Sequence, residues 1–169
     1  RRALGVLRDP AGPAELAPAP GVADLDRLLE TIRQTGLEAV LSCTGPVADL
    51  PPSLQLSIYR LVQESITNTV KHAVGAGRVS VQLRRTAAAI DVLVTDDGAL
   101  SRPVEDAGGI VHGILGMRER TSMHGGSIEV GPTPNGWHVH ASFPALAADD
   151  ELPASSDAGS PSRRPRVPK

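Results

Sequence analysis

Residues 54–73 constrain the fold more than any other stretch, because as a helix they present one side that must be buried and one that must not. At about 100° per residue, Ile58, Leu61, Val62, Ser65, Ile66, Thr69 and Ala73 fall on one broad side. Glu64, Asn68 and Lys71 fall opposite, with His72 at the margin. Such a helix needs an apolar partner surface, and the chain supplies one directly. After the turn Gly75-Ala76-Gly77, Val79, Val81 and Leu83 alternate onto one face of a strand, and Ile90, Val92 and Val94 onto one face of the next. The two strands suit an antiparallel hairpin.

The rest of the chain fits around this pair. Asp24 is placed to cap a helix carrying Leu25, Leu28, Leu29 and Ile32 at helical spacing, and Gly36 is placed to end it. A short strand over residues 38–43 and a loop over 45–52 lead into the long helix. Beyond the hairpin the expectation is a glycine-rich irregular stretch over 97–112, a helix over 114–124, and strands near 127–130 and 137–143. Helices mixed with an antiparallel sheet make an α+β fold likelier than a doubly wound parallel sheet. Residues 1–23 read as a helix end, residues 1–8, and a Pro/Ala/Gly linker. Residues 24–146 form the globular domain, and 147–169 read as a disordered tail.

Composition removes several functions. One Trp, one Tyr and one Phe leave too few rings to stack on single-stranded nucleic acid. A formal net charge of -2 gives no footprint for DNA or an anionic bilayer, so neither nucleic acid nor direct membrane contact is expected. No apolar run approaches the roughly 20 residues a spanning helix needs. The single cysteine, Cys43, sits in an apolar run and reads as a buried thiol in a reducing compartment, so a cytoplasmic location is expected. The chain begins on Arg1 rather than Met, which suggests a piece of something longer.

Three segments carry possible chemistry. Glu64, Asn68 and Lys71 put a carboxylate, a neutral oxygen ligand and an ammonium on one helix face, a set suited to phosphate and to Mg²⁺, which prefers oxygen ligands; a solvated face reads the same way. Asp96-Asp97-Gly98 ends a strand with a carboxylate that could accept a hydrogen bond from an adenine amino group, or is simply a turn. Gly108-Gly109 and His112-Gly113-Ile114-Leu115-Gly116 precede helix-forming Met117-Arg118-Glu119-Arg120. A glycine loop opening a helix would offer free N–H groups to phosphates, or would be a mobile surface loop. His138 and His140, two apart on a strand, have the spacing of a Zn²⁺ pair but no further ligand pattern, which favours a polar sheet face.

In this order, residues 63–73, Val94-Thr95-Asp96-Asp97-Gly98 and residues 112–120 resemble the N box and the two glycine boxes of histidine kinase ATPase domains, over about residues 1–144. The likeness is greatest to the subfamily whose response regulators carry helix-turn-helix output domains of the nitrate-regulator type. It implies a two-layer α/β sandwich, a mixed sheet with helices on one face, shared with gyrase-type, mismatch-repair and chaperone ATPases. It implies ATP and Mg²⁺ as cofactors. Asn68 would ligate Mg²⁺, Glu64 would act as base or polarising group, and Lys71 and His72 would lie near the phosphates. Asp96 would bind adenine, with Gly98 letting the base approach. His112 belongs to the second glycine box, and the backbone at Gly113, Ile114, Leu115 and Gly116 would hold phosphates under a lid over residues 100–111.

The implied reaction transfers the γ-phosphoryl group of ATP to a histidine on a dimeric helical hairpin and then to an aspartate of a response regulator. The implied partners are therefore the chain's own dimerisation and phosphoacceptor domain, of which residues 1–8 resemble the last turns, and the response regulator. This piece by itself is expected to be largely monomeric. Leu100 stands where the family has a second glycine, and Val111 where it has a glycine before the His-Gly pair. Those two positions keep a second reading open, a degenerate nucleotide-binding module that regulates by docking, against which Glu64 and Asn68 count. A serine kinase of the anti-sigma type, which shares the fold, is the third.

Overall fold

The computed structural model describes residues 18–100 and 108–145; the expected hairpin remnant, most of the linker, part of the expected lid and the tail lie outside them. Helix α1 (Leu25–Arg33) buries the stripe Leu25, Leu28, Leu29 and Ile32. Gly36, at φ +92°, reverses the chain after it, a conformation that costs other residues a steric clash. Asp24 precedes α1 as expected, but its carboxylate does not cap it. A 3₁₀ turn, Val22–Asp24, runs straight into the helix, and Asp24 instead accepts from the Gly21 N–H at 2.9 Å and from Arg27.

Strand β1 (Glu38–Thr44) leads to α2 (Pro52–His72), which starts on a proline where the missing N–H is not needed. Then come β2 (Ala73–Val74), β3 (Arg78–Arg85), β4 (Ala89–Asp96), β5 (Ala99–Leu100), α3 (Gly108–Ser122), β6 (Ser127–Thr133) and β7 (Gly136–Pro144). Five strands form one sheet in the order β1-β3-β4-β7-β6. β1 runs parallel to β3 and the other neighbours are antiparallel, so the sheet is mixed and the fold α+β, as expected.

Register decides which residues meet the helices. Ala39, Val79 and Asp96 align across three strands; one pleat further along lie Val81, Val94, Val139 and Val130, then Leu83, Val92, Ala141 and Ile128, and finally Ile90 with Phe143. This face, with Ile58, Leu61, Val62 and Ile66 of α2, makes the core. The other face carries Gln82, Arg84, Asp91, Glu129, His138 and His140 and is polar.

Three expectations need correction. Cys43 is exposed, not buried: it lies near the end of β1, an edge strand, where partial desolvation, and then the Asp26 charge, push its thiol pKa up. The stretch over 97–112 is not wholly irregular. Ala99–Leu100 pairs with Ala73–Val74 in a small antiparallel ribbon, and α3 begins at Gly108 rather than at Ile114. Ile110, Ile114 and Met117 recur at i, i+4 and i+7, and burying that stripe outweighs the low helix propensity of four glycines.

Candidate nucleotide-binding site

Between α2, α3 and the end of the sheet lies a pocket lined by Ser65, Asn68, Thr69 and His72 of α2, Asp96 at the end of β4, and Gly98. Ile110, Ile114 and Met117 of α3 face Val130, Trp137 and Val139 of the sheet across it. Its walls are largely apolar, and Asn68, Thr69, His72 and Asp96 are among the polar groups in them. The cavity is about 20 Å³, room for roughly one water, because the first turns of α3 lie across it.

Strand alternation divides the acidic pair. Asp96 lies on the core face opposite Trp137, and its two oxygens accept from the Thr69 hydroxyl at 2.7 Å and the Gly98 N–H at 3.0 Å. Asp97 points the other way. Its Oδ1 accepts from the N–H groups of Gly77 at 2.8 Å and Arg78 at 2.9 Å, clamping the turn that starts β3. Those bonds, the one from Arg78 foremost, hold its carboxyl below the usual carboxylate range. Gly98 is a glycine for want of room and not for a left-handed backbone. A Cβ there would sit 2.7 Å from the Ala73 Cβ and 2.8 Å from the Ala76 Cβ, closer than carbon atoms approach.

On α2, Asn68 and His72 are one turn apart in the pocket lining. Burial, and then the neighbouring Lys71 charge, push the His72 pKa down. Glu64, a further turn back, lies against Gly113 of α3; a Cβ on Gly113 would come within 3.1 Å of the Glu64 carboxyl carbon. The structure thus brings Asn68, His72, Asp96, Gly98 and Ile114 together, with Glu64 and Gly113 in mutual contact beside them. Lys71, His112 and Leu115 are exposed and outside the pocket wall, and Gly116 packs by the Arg120 guanidinium, 3.1 Å from where its Cβ would be. Because α3 starts early, positions 113–116 are past its first turn and turn their N–H groups to carbonyls four residues back. The N–H groups of this helix without a carbonyl four residues back in the helical ladder are those at its start, residues 108–110.

Several wall residues escaped the sequence reading. Trp137 and Val139 come to the pocket through the β4–β7 pairing, which no local pattern encodes. Thr69 was visible only as a core position; its bond to Asp96 needs the helix laid across the strand. Ile110 and Met117 had a signal, the i, i+4, i+7 spacing with Ile114. His138 and His140 pair with Glu129 at 3.9 Å and Asp91 at 3.6 Å, and among the described residues no cluster of three or more potential ligands could hold a metal ion.

Fold and pocket together define a class first: a two-layer α+β domain with a largely apolar, carboxylate-bearing pocket between helices and sheet. The histidine kinase domain of the Erythrobacter litoralis EL346 blue-light activated histidine kinase has this fold, at TM-score 0.54 and 23% identity, over 85% of this chain and 70% of that one. The Acinetobacter baumannii histidine kinase AdeS shares it at TM-score 0.58 and 14% identity, over 85% and 74%. At such identities the likeness is one of fold alone. The histidine kinase-, DNA gyrase B- and HSP90-like ATPase family matches residues 53–147, and this chain belongs to that family. Among its relatives are the sensor histidine kinase LnrJ of Bacillus subtilis (strain 168), 32% identical over 124 residues, 72% of this chain and 30% of that protein. The histidine-protein kinase/phosphatase UhpB of Salmonella typhimurium is 32% identical over 144 residues, 85% of this chain and 28% of that protein. The chain spans less than a third of either.

Proposed function

We propose that residues 24–146 are the catalytic unit of a sensor histidine kinase, binding ATP and presenting its γ-phosphoryl group to a histidine on a separate helical dimerisation domain. The observation that carries this reading is the Asp96 carboxylate, tethered by two hydrogen bonds in the wall of a largely apolar pocket that Asn68 and His72 also line. With α3 moved outward, an adenine ring would fit such walls, between Ile114 and Met117 on one side and Val139 and Trp137 on the other, with its exocyclic amino group donating to Asp96. The triphosphate would then run along α2 past Asn68 and His72 towards Glu64 and Lys71.

The donor set suits Mg²⁺. One amide oxygen, from Asn68, suffices when phosphate oxygens and waters complete the shell, and the ion when bound neutralises charge on the phosphates. Glu64, one turn from Asn68, is placed to orient or take the proton of the attacking imidazole. For a nucleotide to occupy the pocket, the first turns of α3 must move outward and unwind, which would take the carbonyls of residues 109–112 away from the N–H groups at Gly113, Ile114, Leu115 and Gly116 and leave them for phosphate. His112 would move with them. The phosphoryl group would pass on to an aspartate of a response regulator, of the nitrate-regulator type by the resemblance of residues 63–73, 94–98 and 112–120 taken together. A cytoplasmic location follows from that substrate and that partner. Among the described residues no helix is long and apolar enough to cross a membrane.

The small cavity favours one alternative, a module that regulates by docking without turning over nucleotide. Calorimetric titration with a non-hydrolysable ATP analogue, with and without Mg²⁺, separates the two. The kinase reading expects binding that weakens without Mg²⁺ or in Asn68→Ala and is largely lost in Asp96→Ala. A folded wild type that takes up no nucleotide would leave docking as the function.

A further inference from the structure

The Thr69 hydroxyl carries one proton and has two acceptors in reach. The Ser65 carbonyl of its own helix lies at 3.3 Å and Asp96 Oδ2 at 2.7 Å, so the shorter, charge-assisted bond takes it. Thr69 is 5% exposed, and water has little access to compete. The opposite oxygen of the same carboxylate accepts from the Gly98 N–H at 3.0 Å. The terminal torsion of an aspartate is broad, and a carboxylate held at one oxygen can still swing about that contact. Two tethers from different elements, α2 and the backbone past β4, fix the plane of the carboxylate in the pocket wall. Thr69 is itself β-branched and restricted in χ1, so it makes a stiff tether.

Resting on the reading of Asp96 as the group that meets the base, we propose that Thr69 is a positioning residue that sets base selectivity. Held as an acceptor aimed at the purine C6 position, the carboxylate pairs with an amino substituent there. A carbonyl at C6 is itself an acceptor, and the two facing oxygens leave each other unpaired in a site poor in water. If Asp96 is free to turn, the amino group loses part of its bond while the carbonyl is no longer opposed as squarely. Thr69 therefore acts on the difference between the two bases and not on the phosphates.

The test measures binding of non-hydrolysable adenosine and inosine triphosphate analogues to the wild-type chain, Thr69→Val, Thr69→Ser and Asp96→Ala, with a thermal melt of each. Thr69→Val keeps shape and drops the hydroxyl. It is expected to weaken the adenosine analogue about tenfold and the inosine analogue less, narrowing the preference, while Thr69→Ser restores both values. Should the valine variant fail to fold, Thr69→Ala makes the same comparison. A valine variant with wild-type preference, or one that loses both analogues in equal proportion, overturns the positioning role even when Asp96→Ala abolishes binding. A folded wild type that takes up neither analogue, or an Asp96→Ala variant that binds as the wild type does, overturns the Asp96 reading instead, and the role of Thr69 falls with it.

Discussion

Asp96 and Asp97 are adjacent, chemically identical and built into different tasks, because successive residues of a strand face opposite sides. Asp96 is turned to the pocket and Asp97 to the turn at Gly77 and Arg78. The pair therefore separates binding from stability at single-residue resolution. Asp97→Ala is expected to lower stability by about 1 kcal/mol, less than is usual for a charged acceptor because water screens an exposed carboxylate. Nucleotide affinity should barely change. Denaturant unfolding together with an analogue titration checks this, and an Asp97 variant that loses nucleotide while keeping its stability would show that the two roles are misassigned.

At the scale of elements, α3 has one end tied by polar bonds and one end rich in glycine. Its C-terminal end is tied down: Thr121 is buried, the Gly126 N–H donates back to the Thr121 carbonyl at 3.1 Å, and the His124 ring meets the Ser57 hydroxyl of α2 at 2.8 Å and the Phe143 ring edge-on. The N-terminal turns hold Gly108, Gly109, Gly113 and Gly116, each costing up to about 1 kcal/mol of helix stability relative to alanine. Local opening should follow that gradient. Hydrogen exchange is expected to be faster at amides 113–116 than at 117–122, and the difference should change when an adenine nucleotide is added. Uniform protection along α3, unchanged by nucleotide, would mean that the helix moves as a rigid body or not at all.

At the scale of the molecule, three shifted groups give stability the same dependence on pH. His72 has a folded pKa below its ordinary 6.5, so the unfolded chain takes up its proton first. Its contribution is complete above that value and declines as the pH falls through it. Asp97 is depressed chiefly by its backbone bond from Arg78. At Asp91 burial works upward, but the Ser142 hydroxyl and Arg84 outweigh it and the net shift is down. Both carboxylates contribute fully above the ordinary 3.8 and less as the pH drops through their folded values. A melting temperature followed from pH 8 downward is expected to decline in two stages, one starting near 6.5 and absent in His72→Gln, the other below about 4. A flat profile down to pH 4 would show that His72 is as easily protonated folded as unfolded.

The α+β class, both hairpin strands and the long helix were legible in the sequence, because a helical or alternating period is a local property that states which side is buried. Glu64, Asn68, Asp96 and Gly98 were legible as residue types in a characteristic order. What they touch was not. The pairing of Asp96 with Trp137, the reach of Thr69 across to a strand 27 residues further on, and the exposure of Cys43 on an edge strand all depend on which strands are neighbours. The glycine segment was misjudged for a related reason. Its composition opposes a helix locally, and only the apolar wall facing Ile110, Ile114 and Met117 in the folded molecule makes the helix the better state. The sequence by itself determined the elements and the chemical inventory; the tertiary structure decided which members of that inventory meet, because the forces that choose among partners act between residues far apart in the chain.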